Sequence, residues 1–385
     1  MVKSLHVLKP IYPIDEIIKS ITSTLNSGWT GDGGATEAFE KDWSIYTGYK
    51  HSIYVNSCTA ALHLSLLALK DKFPNKTKVI VPNITFVSSA AVVLHSSLDL
   101  ILCDVDESLC LDVSSLKKII NKETLAVVFV GIGGNTNNLE RIKEICELEN
   151  VSLIIDAAHM AGSKLEENSR PHLGDFADFI CYSFQAVKNL GIADSGMLCT
   201  QKNELLDDIL KYRWLGINKT TYQRSIEKDN NYKWEYQIDR LGYKYNGNAL
   251  MASCCLALLP TLEESNYYRR KIRRRYQEKL KGFNNITFIL HKNEKITSAH
   301  LSQILLKDGI TSNQRNIIIS KLNKNNIFPG VHYTPISEFK YYNTYSDQIY
   351  NSKRISDRII SLPCHLGIDI NDVDFIVNNL IEIFS

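Results

Sequence analysis

Three side chains of complementary chemistry fall within one stretch of the chain: Asp156, His159 and Lys188. Asp156 ends an apolar run, Ser152–Asp156, and His159 follows within a turn. Lys188 lies in a small-residue loop behind a second apolar run, Phe179–Phe184. A lysine amine withdrawn from water loses basicity and becomes a nucleophile toward an aldehyde. A carboxylate close by can keep a ring nitrogen protonated, and an imidazole can bond a phenolic oxygen. Each residue alone has a plainer reading: a helix N-cap for Asp156, a core histidine for His159. Together they describe a site for an aldehyde cofactor of the pyridoxal-phosphate kind. Lys188 would be its Schiff-base lysine and the base that moves protons.

Such a cofactor needs an anion cradle and a cover for its ring. Asn56-Ser57-Cys58-Thr59-Ala60-Ala61-Leu62 follows a strand pattern and opens a helical one. Hydroxyls and free N–H groups at a helix start suit a phosphate, although an ordinary capped helix has the same sequence. Phe86, in Pro82-Asn83-Ile84-Thr85-Phe86, can stack on a ring or pack in the core. Trp29, in the loop Gly28–Gly34, is either a substrate wall or a packing residue.

The elements that must position these groups follow from hydrophobic periodicity. Strand patterns occur at Ser52–Val55, Lys78–Val81, Asp99–Asp104, Leu125–Gly131, Ser152–Asp156 and Phe179–Phe184. Helical patterns fall between them at Thr59–Leu69, Val87–His95, Val113–Ile120 and Leu139–Leu148. Near-continuous apolar strands alternating with helices predict an α/β fold whose mainly parallel sheet is covered on both faces. Ligands then sit beyond the carboxyl ends of the strands, which gathers Asn56–Thr59, Asp156 and Lys188 on one rim. Two helices precede this region, Ile14 to about Ser27 and Ala35–Tyr46. A strand at Met197–Thr200 and a helix at Glu204–Leu215 follow it, then a polar stretch, Asn218–Asp239. A buried helix (Asn248–Leu259), a charged one (Glu263–Lys281), short strands (Ile286–Leu290, Leu301–Leu306) and helices at Ser312–Asn323 and Asp372–Ile383 complete the reading. The expected division is a large domain, residues 1–245 with the N-terminal helix, and a smaller α+β domain, residues 246–385.

The 385 residues are 44% hydrophobic and 22% charged, with a formal net charge of +2, which gives no global attraction to nucleic acid or a membrane surface. The basic run Arg269–Arg275 is flanked by acidic residues and reads as a solvated helix face. No apolar run is long enough to span a bilayer, and the first residues lack the apolar core of a signal peptide. The nine cysteines include no C-x-x-C pair. Reduced cytoplasmic thiols, without disulfides or a bound metal, are the expectation.

Read in order, several segments resemble the DegT/DnrJ/EryC1/StrS family of nucleotide-sugar aminotransferases, of fold-type I. They are the Gly28–Gly34 loop, NSCTAALHLSL (56–66), VIVPNITFVSSA (79–90), IIDAAH (154–159), SFQAVKN (183–189), RWLGI (213–217), LGYKYN (241–246), GVHYTP (330–335) and SLPCH (361–365). The resemblance implies that Lys188 carries pyridoxal 5'-phosphate, which becomes pyridoxamine 5'-phosphate during turnover. It implies that Asp156 contacts the pyridinium nitrogen, His159 lies near the phenolic oxygen and Phe86 stacks on the ring. Cys58, Thr59 and Ser183 would hold the phosphate, and Asn246 would reach it from the neighbouring subunit of a homodimer with shared sites. Gln185, Ala193-Asp194-Ser195-Gly196, Gly131–Asn135 and Gly247 depart from the family's usual residues, and they touch the substrate side more than the cofactor.

The implied reaction is transamination of a nucleotide-linked keto-sugar with L-glutamate as donor, giving an amino sugar for surface polysaccharide or glycoconjugates. A 4-keto-6-deoxy sugar is the expected acceptor and a 3-keto sugar the alternative. A relative that dehydrates sugars carries His in place of the lysine, so Lys188 argues against that activity. A third possibility, a non-catalytic sensor on the same fold, could dispense with Lys188 or Asp156; this chain keeps both.

Overall fold

The computed structural model describes residues 3–217, 219–226, 236–345 and 349–384. The chain opens with β1 (Leu5–His6), α1 (Ile14–Asn26) and α2 (Gly34–Thr47). Strands and helices then alternate: β2 (His51–Val55), α3 (Cys58–Lys72), β3 (Lys78–Pro82), α4 (Ser88–His95), β4 (Asp99–Cys103), α5 (Val113–Ile119), β5 (Thr124–Val130), α6 (Leu139–Leu148) and β6 (Ser152–Asp156). β7 (Phe179–Ser183) and β8 (Gly196–Thr200) follow, then α7 (Leu206–Arg213), α8 (Thr221–Ile226), α9 (Ala249–Leu258) and α10 (Leu262–Leu280). The remainder comprises β9 (Ile286–Phe288), β10 (Ser302–Leu306), α11 (Ser312–Lys324), β11 (Ile327–Phe328), α12 (Asn351–Arg358), β12 (Ile359–Leu362) and α13 (Ile370–Phe384).

Seven strands form one sheet in the order β2-β8-β7-β6-β5-β3-β4. β4, β3, β5, β6 and β7 run parallel, and β8 is antiparallel to both of its neighbours, β7 and β2. The mainly parallel α/β sheet expected from periodicity is therefore present. Its strands are apolar on both faces because both are covered. Val79, Val128, Ile154 and Cys181 point into one core with α3 and α4. Their sequence neighbours Ile80, Phe129, Ile155 and Tyr182 point into the other with α2, α6 and α9. A third core, around Ile304, Ile360 and Ile376, lies under the antiparallel sheet β12-β10-β9.

Three strands were not legible from pattern. β1 and β11 are two residues each and pair in parallel, Leu5 with Ile327 and His6 with Phe328, so they carry no periodicity to detect. β12 is a short, fully buried strand between α12 and the final helix. The β1–β11 pair leads the chain into Leu8, which lines the cavity that also holds Asp156 and Lys188. Of the polar stretch Asn218–Asp239, residues 218 and 227–235 lie outside the described residues. Among the described residues no helix is long and apolar enough to cross a membrane.

Candidate active site

Cys58, Thr59, Phe86, Asp156, His159, Ser183 and Lys188 line one cavity of about 440 Å³. It lies beyond the carboxyl ends of β6 and β7, where parallel sheets place ligands. Asn246 does not line it. That residue borders a separate cavity of about 160 Å³ with Trp29, Asp32, Trp214 and Lys244.

Asp156 is the last residue of β6 and is buried. Its Oδ2 accepts from the Ser89 hydroxyl at 2.7 Å, and its Oδ1 from the Ala158 N–H at 3.1 Å. Burial raises its carboxyl above the usual range, although Ser89, Ala158 and the Lys188 charge pull the other way. The carboxylate is thus well held but short of positive charge. Ser89 is the second residue of α4; no pattern marked it, since a serine in an apolar helix is ordinary.

Lys188 sits in a tight loop between β7 and β8. Its N–H bonds Gln185 O at 2.8 Å, and Ala186 N–H bonds Ala193 O at 2.7 Å. A Cβ on Gly191 would lie 2.2 Å from Gln185 O and 3.0 Å from Lys188 N, so only glycine lets the loop close this far. Gln185 supports the same loop by accepting from the Val187 N–H at 3.1 Å. Burial lowers the Lys188 pKa, while Asp156 opposes the shift. Desolvation makes the amine available as nucleophile and base.

At the start of α3 the Ser57 hydroxyl accepts from the Ala60 N–H at 3.1 Å. The N–H groups of Cys58 and Thr59, earlier in the same turn, have no intrahelical acceptor and open an anion site beside the exposed Thr59 hydroxyl. The Cys58 thiol turns inward, 3.3 Å from Cys181 O, so its contribution to a phosphate would be the backbone N–H. A Cβ on Gly196 would lie 2.6 Å from Cys58 N, so the glycine brings the helix start down onto β8. Phe86 is 59% exposed and its ring stands 6.3 Å from that of Tyr333, free to cover whatever enters.

His159 is fully engaged within the chain. Its Nδ1 accepts from the Gly133 N–H at 3.3 Å, which leaves the ring proton on Nε2, 3.2 Å from the Tyr333 hydroxyl. The proton this pair offers the cavity is therefore the Tyr333 hydroxyl's. Burial first, then the Lys188 charge, pushes His159 well below its ordinary pKa, so the imidazole is neutral. Its ring lies 4.3 Å from that of His300, whose Nδ1 donates to Asn189 Oδ1 at 2.8 Å. Asn189 in turn donates to Asn266 Oδ1 and Ser298 O, which anchors the residue next to Lys188. His300, His332 and Tyr333 line the cavity but escaped the reading from residue chemistry. They come from beyond β9, far from Lys188 in sequence. The GVHYTP segment was the one signal pointing to His332 and Tyr333, and none pointed to His300.

These residues fit pyridoxal phosphate. A protonated ring nitrogen would give buried Asp156 the positive charge it lacks, the α3 start would take the phosphate, and Lys188 is a desolvated amine. Fold and site together define a pyridoxal-phosphate-dependent transferase of fold-type I. Residues 13–381 match the DegT/DnrJ/EryC1/StrS aminotransferase family, and the chain belongs to it. It is an aminotransferase. The spore coat polysaccharide biosynthesis protein SpsC of Bacillus subtilis (strain 168) is 31% identical over 379 residues, 96% of this chain and 94% of that one. Spr1654 of Streptococcus pneumoniae, solved in its PLP form, superposes with a TM-score of 0.84 at 26% identity over 98% of each chain. Helicobacter pylori PseC, an aminotransferase involved in the biosynthesis of pseudoaminic acid, shares the fold with a TM-score of 0.90 at 24% identity over 99% of each chain.

Proposed function

We propose that this enzyme transfers an amino group from L-glutamate to a nucleotide-linked keto-sugar, a 4-keto-6-deoxy sugar, for surface polysaccharide or glycoconjugate synthesis. The observation that carries the reading is the desolvated Lys188 amine sharing one cavity with buried Asp156. The likeness to SpsC, named for polysaccharide biosynthesis, supports the sugar acceptor.

Bound pyridoxal phosphate supplies an electron sink for the carbanion formed at the amino-bearing carbon. Asp156 holds the proton on the ring nitrogen. With the cofactor bound, Lys188 would be the base placed to take a proton from the amino-bearing carbon of the substrate and return it. The Tyr333 hydroxyl, oriented by His159, would be the donor available to the phenolic oxygen of the cofactor. Cys58 N–H, Thr59 and Ser183 bind the phosphate, and Phe86 covers the ring and excludes water.

The enzyme works as a homodimer in which Asn246 completes the partner's phosphate site. Among the described residues the Asn246 Oδ1 is buried without a hydrogen-bond partner, and Asn246 does not line its own chain's cofactor cavity. The nine buried free thiols suit the reducing cytoplasm, where we place the enzyme. Two measurements test the reaction. Glutamate alone should convert the yellow enzyme to its pyridoxamine form with one 2-oxoglutarate per site. That form should then aminate a member of a panel of nucleotide 4-keto-6-deoxy sugars, and loss of the amine to no member of the panel would refute the acceptor class.

A further inference from the structure

The loop that carries Lys188 is tied to the rest of the chain by the side chain beside it. Asn189 Nδ2 donates to Asn266 Oδ1 at 2.7 Å and to Ser298 O at 2.8 Å, and Asn189 Oδ1 faces His300 Nδ1 at 2.8 Å. Asn266 lies in the first half of α10 and is fully buried, and its Nδ2 donates to Ala161 O at 2.9 Å. The backbone closes tightly on that amide: a Cβ on Gly162 would lie 2.2 Å from Asn266 Nδ2. Ser298 is held in turn, its N–H on the Ser163 hydroxyl at 2.9 Å and its own hydroxyl on His159 O.

The direction of every bond in this relay is fixed from its ends. Ala161 O and Ser298 O are backbone carbonyls and can only accept. Ala161 O takes a hydrogen from Asn266, which turns the Asn266 oxygen toward Asn189. Asn189 gives one hydrogen to that oxygen and the other to Ser298 O, so only its own oxygen is left for His300. The His300 proton is therefore on Nδ1, and Nε2 carries none. His300 is 1% exposed, and burial first, then His159 and Lys188, hold its pKa well below the ordinary value, so the ring is neutral. It lines the cavity that Lys188 lines, with its ring against that of His159.

We propose that Asn266 and His300 are positioning residues for Lys188, acting through Asn189. The proposal rests on the reading of Lys188 as the reacting lysine. The bonds from Lys188 N–H to Gln185 O and from Ala186 N–H to Ala193 O close the loop on itself, and from outside it Tyr12 reaches Ala186 O only at 3.5 Å. Asn189 supplies three shorter ties, to α10 and to the segment before β10. A base held slightly out of line costs rate more than affinity, so the relay acts on turnover and not on donor binding.

Two readouts need no cofactor. Long-range proton–nitrogen correlation spectra of histidine-labelled apoenzyme should show His300 protonated on Nδ1. In Asn266→Leu, which keeps the volume and removes the acceptor, the Asn189 amide is released and His300 should populate the Nε2-protonated form. Competitive acetylation of the apoenzyme across pH should show Lys188 more basic in Asn266→Leu by about half a unit or more, because a loosened loop lets water back to the amine. In the holoenzyme, Asn266→Leu and His300→Phe should slow both single-turnover half reactions by about fivefold to tenfold, the loss expected for one neutral hydrogen bond. The glutamate concentration for half-maximal rate should move by less than about twofold. His300→Asn can place its Nδ2 where Nδ1–H stood and should recover rate relative to His300→Phe; this pair carries the test if Asn266→Leu melts early. Equal rates in the pair would mean that His300 does not act through Asn189. That result, a wild-type His300 protonated on Nε2, or an Asn266→Leu protein with His300 and Lys188 unchanged would overturn the proposal. A borohydride label on another lysine would instead strike the reading of Lys188 and leave the His300 spectrum as it is.

Discussion

Two corners of the molecule carry the residues expected to hold the cofactor, and they differ in how complete they are. Around Asp156, His159 and Lys188 the polar groups find partners in their own chain: Ser89 and Ala158 for Asp156, Gly133 and Tyr333 for His159, Gln185 for the lysine backbone. Around Asn246 they do not. Among the described residues Asn246 Oδ1 and Trp214 Nε1 are buried and unpartnered beside the cavity of about 160 Å³, and burial lowers the Lys244 pKa there. A buried polar atom without a partner costs about 1–3 kcal/mol, so such atoms persist where something else satisfies them. The first corner is finished by folding; the proposed dimer would finish the second.

The contrast can be broken at several points. Lys188→Ala should have the largest effect, since it removes both nucleophile and proton carrier: turnover falls by about a thousandfold or more while the melting temperature holds or rises. Retention of turnover would remove the first corner from the chemistry. Asp156→Asn should keep the fold, because an amide still accepts from Ala158. It loses a charge-assisted bond of roughly 1.5–3 kcal/mol to the ring nitrogen, or about one to two powers of ten in rate. The loss should appear in both single-turnover half reactions and survive saturating cofactor. Were Asp156 only a helix cap, both rates would stay at wild type.

Association is sharpened by mixing. Lys188→Ala and Asn246→Ala proteins, combined under conditions where subunit exchange is demonstrated, should regain activity through hybrid dimers with one intact site. A mixture no better than its parents would make each site self-sufficient. The smallest expected effect belongs to Tyr333→Phe, which deletes one neutral hydrogen bond. A rate loss of about tenfold or less, with a shifted absorbance maximum of the bound cofactor, is expected. An unmoved spectrum would place the hydroxyl away from the phenolic oxygen.

Much of the first corner was legible in the sequence because strand ends gather distant residues by a topological rule. Asp156 and Lys188 end or follow apolar runs, and the sheet brings both to one rim without further information. His159 lines the same cavity, but its partner was invisible: Tyr333 approaches from beyond the second sheet, and no local period links it to His159. His300 and Asn189 escaped for the same reason, being joined by a side-chain contact rather than by an element. Cys58 illustrates a finer limit, since the sequence says it opens α3 and cannot say that its thiol turns toward Cys181. Arg269 shows the reverse case. Its charge suggested a solvated helix, and only packing reveals that it is buried in the wall of a cavity, with no carboxylate bonded to its guanidinium among the described residues.

The most direct test is the covalent identity of the cofactor lysine. Borohydride reduction of the yellow holoenzyme, followed by peptide mapping, should place the pyridoxyl label on Lys188 and abolish the absorbance of the bound cofactor. A label on any other lysine, or a protein that binds pyridoxal phosphate without being fixed by borohydride, would contradict the assignment of Lys188 and Asp156 as the core of the site.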